Sequence, residues 1–319
     1  MARDTQPKKR KGRRWSKNDT ELTILAIPTT VWYVLFSFLP MFGLIIAFKN
    51  YRVTGGKSFI YNVLHSDWSG IKNFEFLIKS NDLFVILRNT ILYNLAFIVL
   101  GMALLVALAV MISLLRSKRR SKVYQTLMFF PYFMSWVVAA YFLDAFLNQD
   151  NGLINQMMRE AGEEPIRWYM TAGVWPALLI FMYLWKNTGY NMVIYLASIS
   201  GIDTTLYEAA VMDGANKWQQ VKYITLPSLK TVVIMMFILN VGKVFYSDFG
   251  LFYQLSQGAS GSIFNTTATI DTYVFNAIRS SAPIGMTSAA TFFQSVACCI
   301  TILVANGIVR KLDPDSAII

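Results

Sequence analysis

Residues Phe84–Leu115 read FVILRNTILYNLAFIVLGMALLVALAVMISLL, a run whose one formal charge is Arg88. A helix of that length rises about 48 Å, beyond the roughly 30 Å hydrocarbon core of a bilayer. It is long enough to cross a membrane with tilt or to protrude from it. The remainder of the chain agrees. Of its 319 residues, 55% are hydrophobic and 15% charged, whereas an average soluble domain carries about 25% charged residues. Five further stretches have the length and apolarity of a span: Leu22–Phe48, Tyr124–Leu147, Val174–Ser200, Thr231–Phe249 and Met286–Val309. The expected fold is an all-α integral membrane protein with six transmembrane helices. No cleavable signal peptide is expected, because the first apolar stretch is too long and lacks a small-residue cleavage site.

Lys and Arg orient such a bundle. One set of connections carries Arg3, Lys8, Lys9, Arg10, Lys11, Arg13, Arg14 and Lys17 before the first stretch. It adds Arg116, Lys118, Arg119, Arg120 and Lys122 between the second and third, and Lys217, Lys222 and Lys230 between the fourth and fifth. Arg310 and Lys311 follow the last. The alternate connections hold Lys49, Arg52, Lys57, Lys72, Lys79, Arg159, Arg167 and Arg279. Eighteen basic residues against eight place both termini in the cytoplasm. The net charge of +11 therefore reads as a topology signal in contact with anionic lipid, and no nucleic-acid partner is expected. The chain divides into a basic tail (1–21), a first helix with its outer loop (22–83), a five-helix core (84–310) containing a cytoplasmic loop (201–230), and a C-terminal end (311–319).

Few motifs carry chemistry of their own. Gly55–Ser58, GGKS, ends like a phosphate-binding loop, but position 51 is Tyr where the motif needs Gly. One His and two adjacent cysteines, Cys298 and Cys299, exclude a His/Cys metal cluster. Asn265 begins a glycosylation-type triplet of the kind expected by chance. No metal site and no catalytic residue are expected. The outer segment 251–285 is rich in Ser, Thr and Gly and is expected to hold a short helix near Ile270–Ile278, serving either as a connector or as a reach towards a docked protein.

The informative connection is Gly201–Lys230, GIDTTLYEAAVMDGANKWQQVKYITLPSLK. Asp203 is a good N-cap for a helix over Thr204–Met212, and Gly214 suits the left-handed residue that closes one. A second helix over Asn216–Ile224 runs to Pro227, where the chain is expected to turn into the next span. Two short helices about a tight bend make a knuckle. Ala209, Ala210, Gly214 and Ala215 allow close approach, while Trp218 and Tyr223 stand ready to fill a partner's pocket.

These residues carry a resemblance. Glu208-Ala209-Ala210 with Asp213-Gly214-Ala215, then Ile224-x-Leu226-Pro227 ahead of the penultimate span, resembles the coupling loop of binding-protein-dependent ABC importer permeases. Pro40–Tyr51 (PMFGLIIAFKNY), Arg88–Thr90, Pro131–Ala140 (PYFMSWVVAA), Tyr195–Asp203 (YLASISGID) and Ile270–Phe275 (IDTYVF) are similar to the carbohydrate-uptake permeases of the type I importers, nearest to the branch taking up polysaccharide fragments. About residues 20–312 fit. The resemblance implies an N-in/C-in type I permease fold in a bacterial cytoplasmic (inner) membrane. It also implies a heterodimer with a second permease, two ABC ATPase subunits and an extracytoplasmic sugar-binding protein. ATP and Mg belong to the ATPase subunits, so the chain is not itself an enzyme and needs no cofactor. Glu208 is then expected to pair with a basic group on the ATPase, and Asp213-Gly214 to shape the bend. Ala209, Ala210, Ala215, Trp218, Leu226 and Pro227 complete the coupling surface.

Polar side chains inside a membrane are costly and face a bundle interior or cavity. Tyr183, Lys186, Asn187, Tyr190 and Asn191 recur at helical spacing on the fourth stretch, and Asn240, Lys243 and Ser247 do so on the fifth, with Tyr246 and Asp248 adjacent. Trp136 and Asp144 on the third and Thr291, Gln294 and Ser295 on the sixth complete the set. Aromatic rings with hydrogen-bonding groups suit sugars, although each such residue also serves as interhelical glue. Lys186 and Lys243 favour an acidic, uronate-containing oligosaccharide, unless Lys243 pairs with Asp248. The alternatives are a permease for another small solute such as amino acids, or an intramembrane enzyme acting on a lipid-linked sugar.

Overall fold

The computed structural model describes residues 16–79, 82–259, 261–280 and 282–313. Most of the basic tail and the chain beyond residue 313 lie outside the described residues. The structure is a helical bundle around one central post, the helix Trp175–Ser200. The post lies along the helix Asp82–Ser113, and the two share separate buried clusters towards their two ends. At one end Trp175, Leu179 and Met182 meet Tyr93, Phe97, Leu143, Leu251 and Phe252. At the other, Met192, Tyr195 and Ile199 meet Ala109, Ile112, Val221 and Leu229. Large side chains from non-adjacent segments thus converge on each end of one rod.

Among the described residues four helices are long and apolar enough to cross a membrane: Lys17–Phe48, Asp82–Ser113, Lys217–Val241 and Ile284–Lys311; a bent pair, Lys118–Phe133 with Trp136–Leu147, makes a fifth if it is one span. The remaining expected span is the post itself. Its 26 residues rise about 39 Å, but the polar stripe through Lys186, Asn187 and Asn191 lowers its hydropathy. The Lys17–Phe48 helix stands apart. No residue of Lys17–Tyr33 is buried, and burial begins only at Ile46 and Ala47, where Phe48 meets Phe74 and Phe292.

Two expected spans are broken. The third bends by 94° between Phe133 and Trp136. Pro131 removes a backbone donor, Ser135 caps the new helix by accepting from the Val138 N–H at 3.2 Å, and the Lys186 ammonium donates to the Tyr132 carbonyl at 2.8 Å. The fifth, expected as Thr231–Phe249, leaves its helix at Val241 and restarts at Phe249. Carbonyls released at membrane depth need internal partners. Here the Asn94 amide donates to the Val244 and Tyr246 carbonyls at 3.0 and 2.9 Å.

The 251–285 segment is not a surface loop. Its helix, Ile270–Arg279, begins with Ile270 and Thr272 buried, and Leu251, Leu255, Ile263 and Ala268 are buried with them. Asn89 donates to Ala268 O at 2.9 Å, Thr90 accepts from the Ile270 N–H at 3.1 Å, and Tyr93 donates to Thr266 O at 2.6 Å. The segment folds back into the bundle because these side chains on the Asp82–Ser113 helix, two donors and one acceptor, pair with its backbone.

Candidate functional site

The knuckle forms as the sequence dictates up to Pro227. The Asp203 carboxylate accepts from the Thr205 N–H at 2.9 Å, and that bond holds its pKa below the usual carboxylate range. The helix Thr204–Met212 closes on Gly214, whose φ of +79° is a conformation that side-chain-bearing residues avoid. The Ala215 N–H reaches Ala210 O at 2.8 Å and the Gly214 N–H reaches Val211 O at 3.0 Å, which satisfies carbonyls that a helix end leaves open. Asn216 then opens the next helix through a reciprocal cap with Gln219.

Pro227 does not turn the chain. Helix runs unbroken from Lys217 to Val241, with a π turn over Val221–Thr225 and Pro227 within the first turn that follows. The wider turn tolerates the ring and the missing N–H that would otherwise break an α-helix. The Tyr207 hydroxyl bonds the Thr225 hydroxyl at 2.9 Å, tying the first short helix to that turn.

Glu208, Ala209, Asp213, Leu226 and Pro227 are exposed, while Ala210 and Ala215 are half-buried. Glu208 has no ion-pair partner among the described residues. Met212 is 87% exposed and Trp218 70%, so large apolar groups are offered outward beside an unpaired carboxylate. Met212, Leu206 and Val211 were not expected to form this surface. Only the helix's orientation, which periodicity over nine residues does not settle, shows them outward.

The polar stripes meet in one cavity of about 560 Å³ between the post, the Asp82–Ser113 helix and the broken fifth span. Tyr183, Asn187, Asn191, Asn240, Lys243, Tyr246, Ser247 and Asp248 line it, with Asn94 added from the second helix. Lys243 is exposed and, among the described residues, has no carboxylate within ion-pair distance, Asp248 included. Asp248 is engaged elsewhere. One carboxylate oxygen accepts from Trp136 Nε1 at 2.9 Å and the other from the Leu251 N–H at 3.2 Å.

Seven expected pathway residues fall outside the cavity lining. Thr291 donates to Thr287 O at 3.2 Å and Ser295 to Thr291 O at 2.9 Å, each within its own helix. Lys186 is buried, with its ammonium over the Tyr132 and Trp136 rings at 5.1 and 5.2 Å as well as on the Tyr132 carbonyl, and it serves the bend. Trp136 spends its N–H on Asp248. Tyr190 stacks on Tyr132 at 4.2 Å. Asp144 accepts from Asn148 at 3.3 Å. Gln294, buried, donates to Phe245 O at 2.9 Å and Asp271 at 3.3 Å, on the far side of Tyr246.

Asp271 is a further residue that spacing alone did not single out: Ser247 donates to it from both N–H and hydroxyl at 2.7 Å. Its signal lay in the Ile270–Phe275 string. What the string does not reveal is that it meets the break of the fifth span.

Residues 106–316 match a family described as binding-protein-dependent transport system inner membrane component. The polygalacturonan/rhamnogalacturonan transport system permease protein YteP of Bacillus subtilis (strain 168) is 30% identical over 92% of this chain and 89% of that protein. Protein LplB of the same organism is 29% identical over 98% of this chain and 99% of that protein. Among solved structures, a bacterial ABC transporter involved in the import of the acidic polysaccharide alginate contains a chain that superposes with a TM-score of 0.81 at 26% identity. The superposition covers 93% of this chain and 97% of that one. A second structure, of a bacterial alginate ABC transporter in complex with alginate pentasaccharide-bound periplasmic protein, gives 0.80 at 27%, over 93% and 96%.

Proposed function

The chain belongs to the family of binding-protein-dependent transport system inner membrane components, and from that premise we propose that it is one permease of an ATP-driven importer of acidic oligosaccharides. As a transport subunit of the inner membrane it works beside a second permease. Two ATPase subunits bind ATP and Mg on the cytoplasmic side, and an extracytoplasmic binding protein delivers the sugar. The knuckle supports the coupling role. Its exposed Met212, Trp218 and Tyr223 fit a cleft in an ATPase, and Glu208 is free for a basic group at the rim. Closure of the ATPase pair then shifts the bundle between inward- and outward-facing arrangements.

The observation that carries the substrate class is Lys243. In the cavity it stands with Tyr183, Tyr246, Asn187 and Asn240, a set offering ring faces to a sugar, partners to its hydroxyls and one unpaired cation to a carboxylate. Both the alginate transporter and the polygalacturonan/rhamnogalacturonan permease are consistent with that reading. Lys186, committed to the bend, adds nothing to it.

The test is uptake by the complete complex in vesicles, with uronate-containing and neutral oligosaccharides of equal length. A hydrogen bond to a charged group contributes about 1.5–3 kcal/mol, so Lys243→Met should lower uronate transport about 10- to 100-fold and leave the neutral sugar within about twofold. Equal effects on both sugars refute the acidic-substrate reading.

A further inference from the structure

A second cavity, of about 490 Å³, lies outside the polar one. Leu104, Tyr124, Leu127, Pro131, Phe181 and Trp185 supply most of its wall. It touches the polar cavity only across Leu184 and Thr188, which line both, and the Thr188 hydroxyl is turned onto the Leu184 carbonyl. Behind it the helices close tightly, since a Cβ on Gly189 would overlap the Met128 carbonyl. The space is lined mainly by apolar side chains, and Thr188 is the one polar residue that it shares with the other cavity.

One end carries charge. Arg116, Lys118, Arg119, Arg120 and Lys122 crowd the start of the helix Lys118–Phe129, all exposed. No carboxylate forms an ion pair with them among the described residues, and the chain contains no Asp or Glu between Asp82 and Asp144. Arg120 sits four residues before Tyr124, on the helix stripe that continues through Leu127, Met128 and Pro131 into the cavity. This end is the knuckle's end of the bundle, because Ile112 shares a buried cluster with Ile199 and Val221. From Arg120 to Pro131 the helical rise is about 16 Å, half the roughly 30 Å hydrocarbon thickness.

We infer that this cavity holds an acyl chain of an anionic phospholipid of the cytoplasmic leaflet, with Arg120 and its basic neighbours on the headgroup phosphate. The depth matches one leaflet, the lining matches an acyl chain, and the unpaired cations stand where the headgroup of such a lipid lies. The inference rests on the cytoplasmic orientation of the knuckle but not on the identity of the transported sugar, so its failure leaves the importer reading intact.

The complete transporter, captured through a tagged ATPase subunit, is analysed by native mass spectrometry after extraction from membranes containing phosphatidylglycerol and phosphatidylcholine. Arg120→Gln should lower retained phosphatidylglycerol about fivefold, the effect of one basic residue at an anionic surface, with phosphatidylcholine unchanged. Leu104→Trp, which fills the cavity, should lower both. A photoreactive residue replacing Leu127, in an otherwise unaltered chain, should form an adduct of phospholipid mass. Unchanged phosphatidylglycerol in both variants, or an adduct between position 127 and the second permease, overturns the proposal.

Discussion

Gly214 separates two explanations of the knuckle. Its φ of +79° costs a residue with a side chain about 1–2 kcal/mol, yet a Cβ added there meets nothing within 4 Å of this chain. If the backbone alone requires glycine, Gly214→Ala carries that full cost, and Gly214→Asn less despite its larger side chain, since Asn tolerates the left-handed region. One to two kcal/mol is a factor of about 5–30 in the population of the closed bend. Hydrogen exchange in the assembled complex reads this at the amides of Gly214 and Ala215, whose bonds to Val211 O and Ala210 O define the bend. Exchange there should rise about 5- to 30-fold in Gly214→Ala and by less in Gly214→Asn. Sugar-stimulated ATP hydrolysis should fall in the same order. If exchange in Gly214→Ala equals wild type, the conformational argument fails. If ATP hydrolysis follows side-chain size instead, with Asn worse than Ala, close approach of the ATPase is what demands glycine.

Three other outcomes are expected. Trp136→Phe removes the donor at 2.9 Å from Asp248 and should lower the thermal stability of the detergent-solubilised complex by about 1–3 kcal/mol; an unchanged melting temperature would mean Asp248 does not depend on it. Gly189→Ala forces the post away from Met128 and should sharply reduce assembled complex recovered from membranes, whereas Gly43→Ala, with open space around it, should not. Asp203 has its folded pKa depressed by the Thr205 N–H, so its cap stabilises the knuckle above the unfolded carboxylate pKa of about 3.9 and is lost as pH falls through the lower folded value. Protection of the Thr205 amide should therefore hold at neutral pH and decline below about pH 4, and Asp203→Asn should abolish that dependence.

The sequence was most legible where local chemistry decides. Asp203, Gly214 and the second and sixth apolar runs each have one reasonable conformation, and the structure adopts it. The cavity was half legible. Helical spacing put Tyr183, Asn187 and Asn191 on one stripe, but periodicity does not distinguish a residue lining space from one reaching across to a neighbour. Lys186 and Lys243 looked equivalent. One lies beside a bent backbone whose Tyr132 carbonyl its ammonium satisfies, and the other faces open volume. The breaks at Pro131–Ser135 and Gly242–Ser247 were hidden for a related reason, because apolar composition marks what lies in lipid and not whether the backbone there is continuous. Partners from distant segments, Asn94 and Lys186, make the discontinuities tolerable.

The uninterrupted helix Lys217–Val241 has a mechanical meaning. With the π turn absorbing Pro227, the helix is continuous between Trp218 at the knuckle and Asn240 at the cavity, about 33 Å away. The segment is a lever whose first joint is the non-helical stretch after Val241. A tilt of about 10° applied at the knuckle moves the far tip by about 6 Å, comparable to one helical turn. On the coupling role proposed above, a displacement imposed at the knuckle is carried to Asn240, whereas Lys243 lies beyond the joint and follows only through the non-helical stretch.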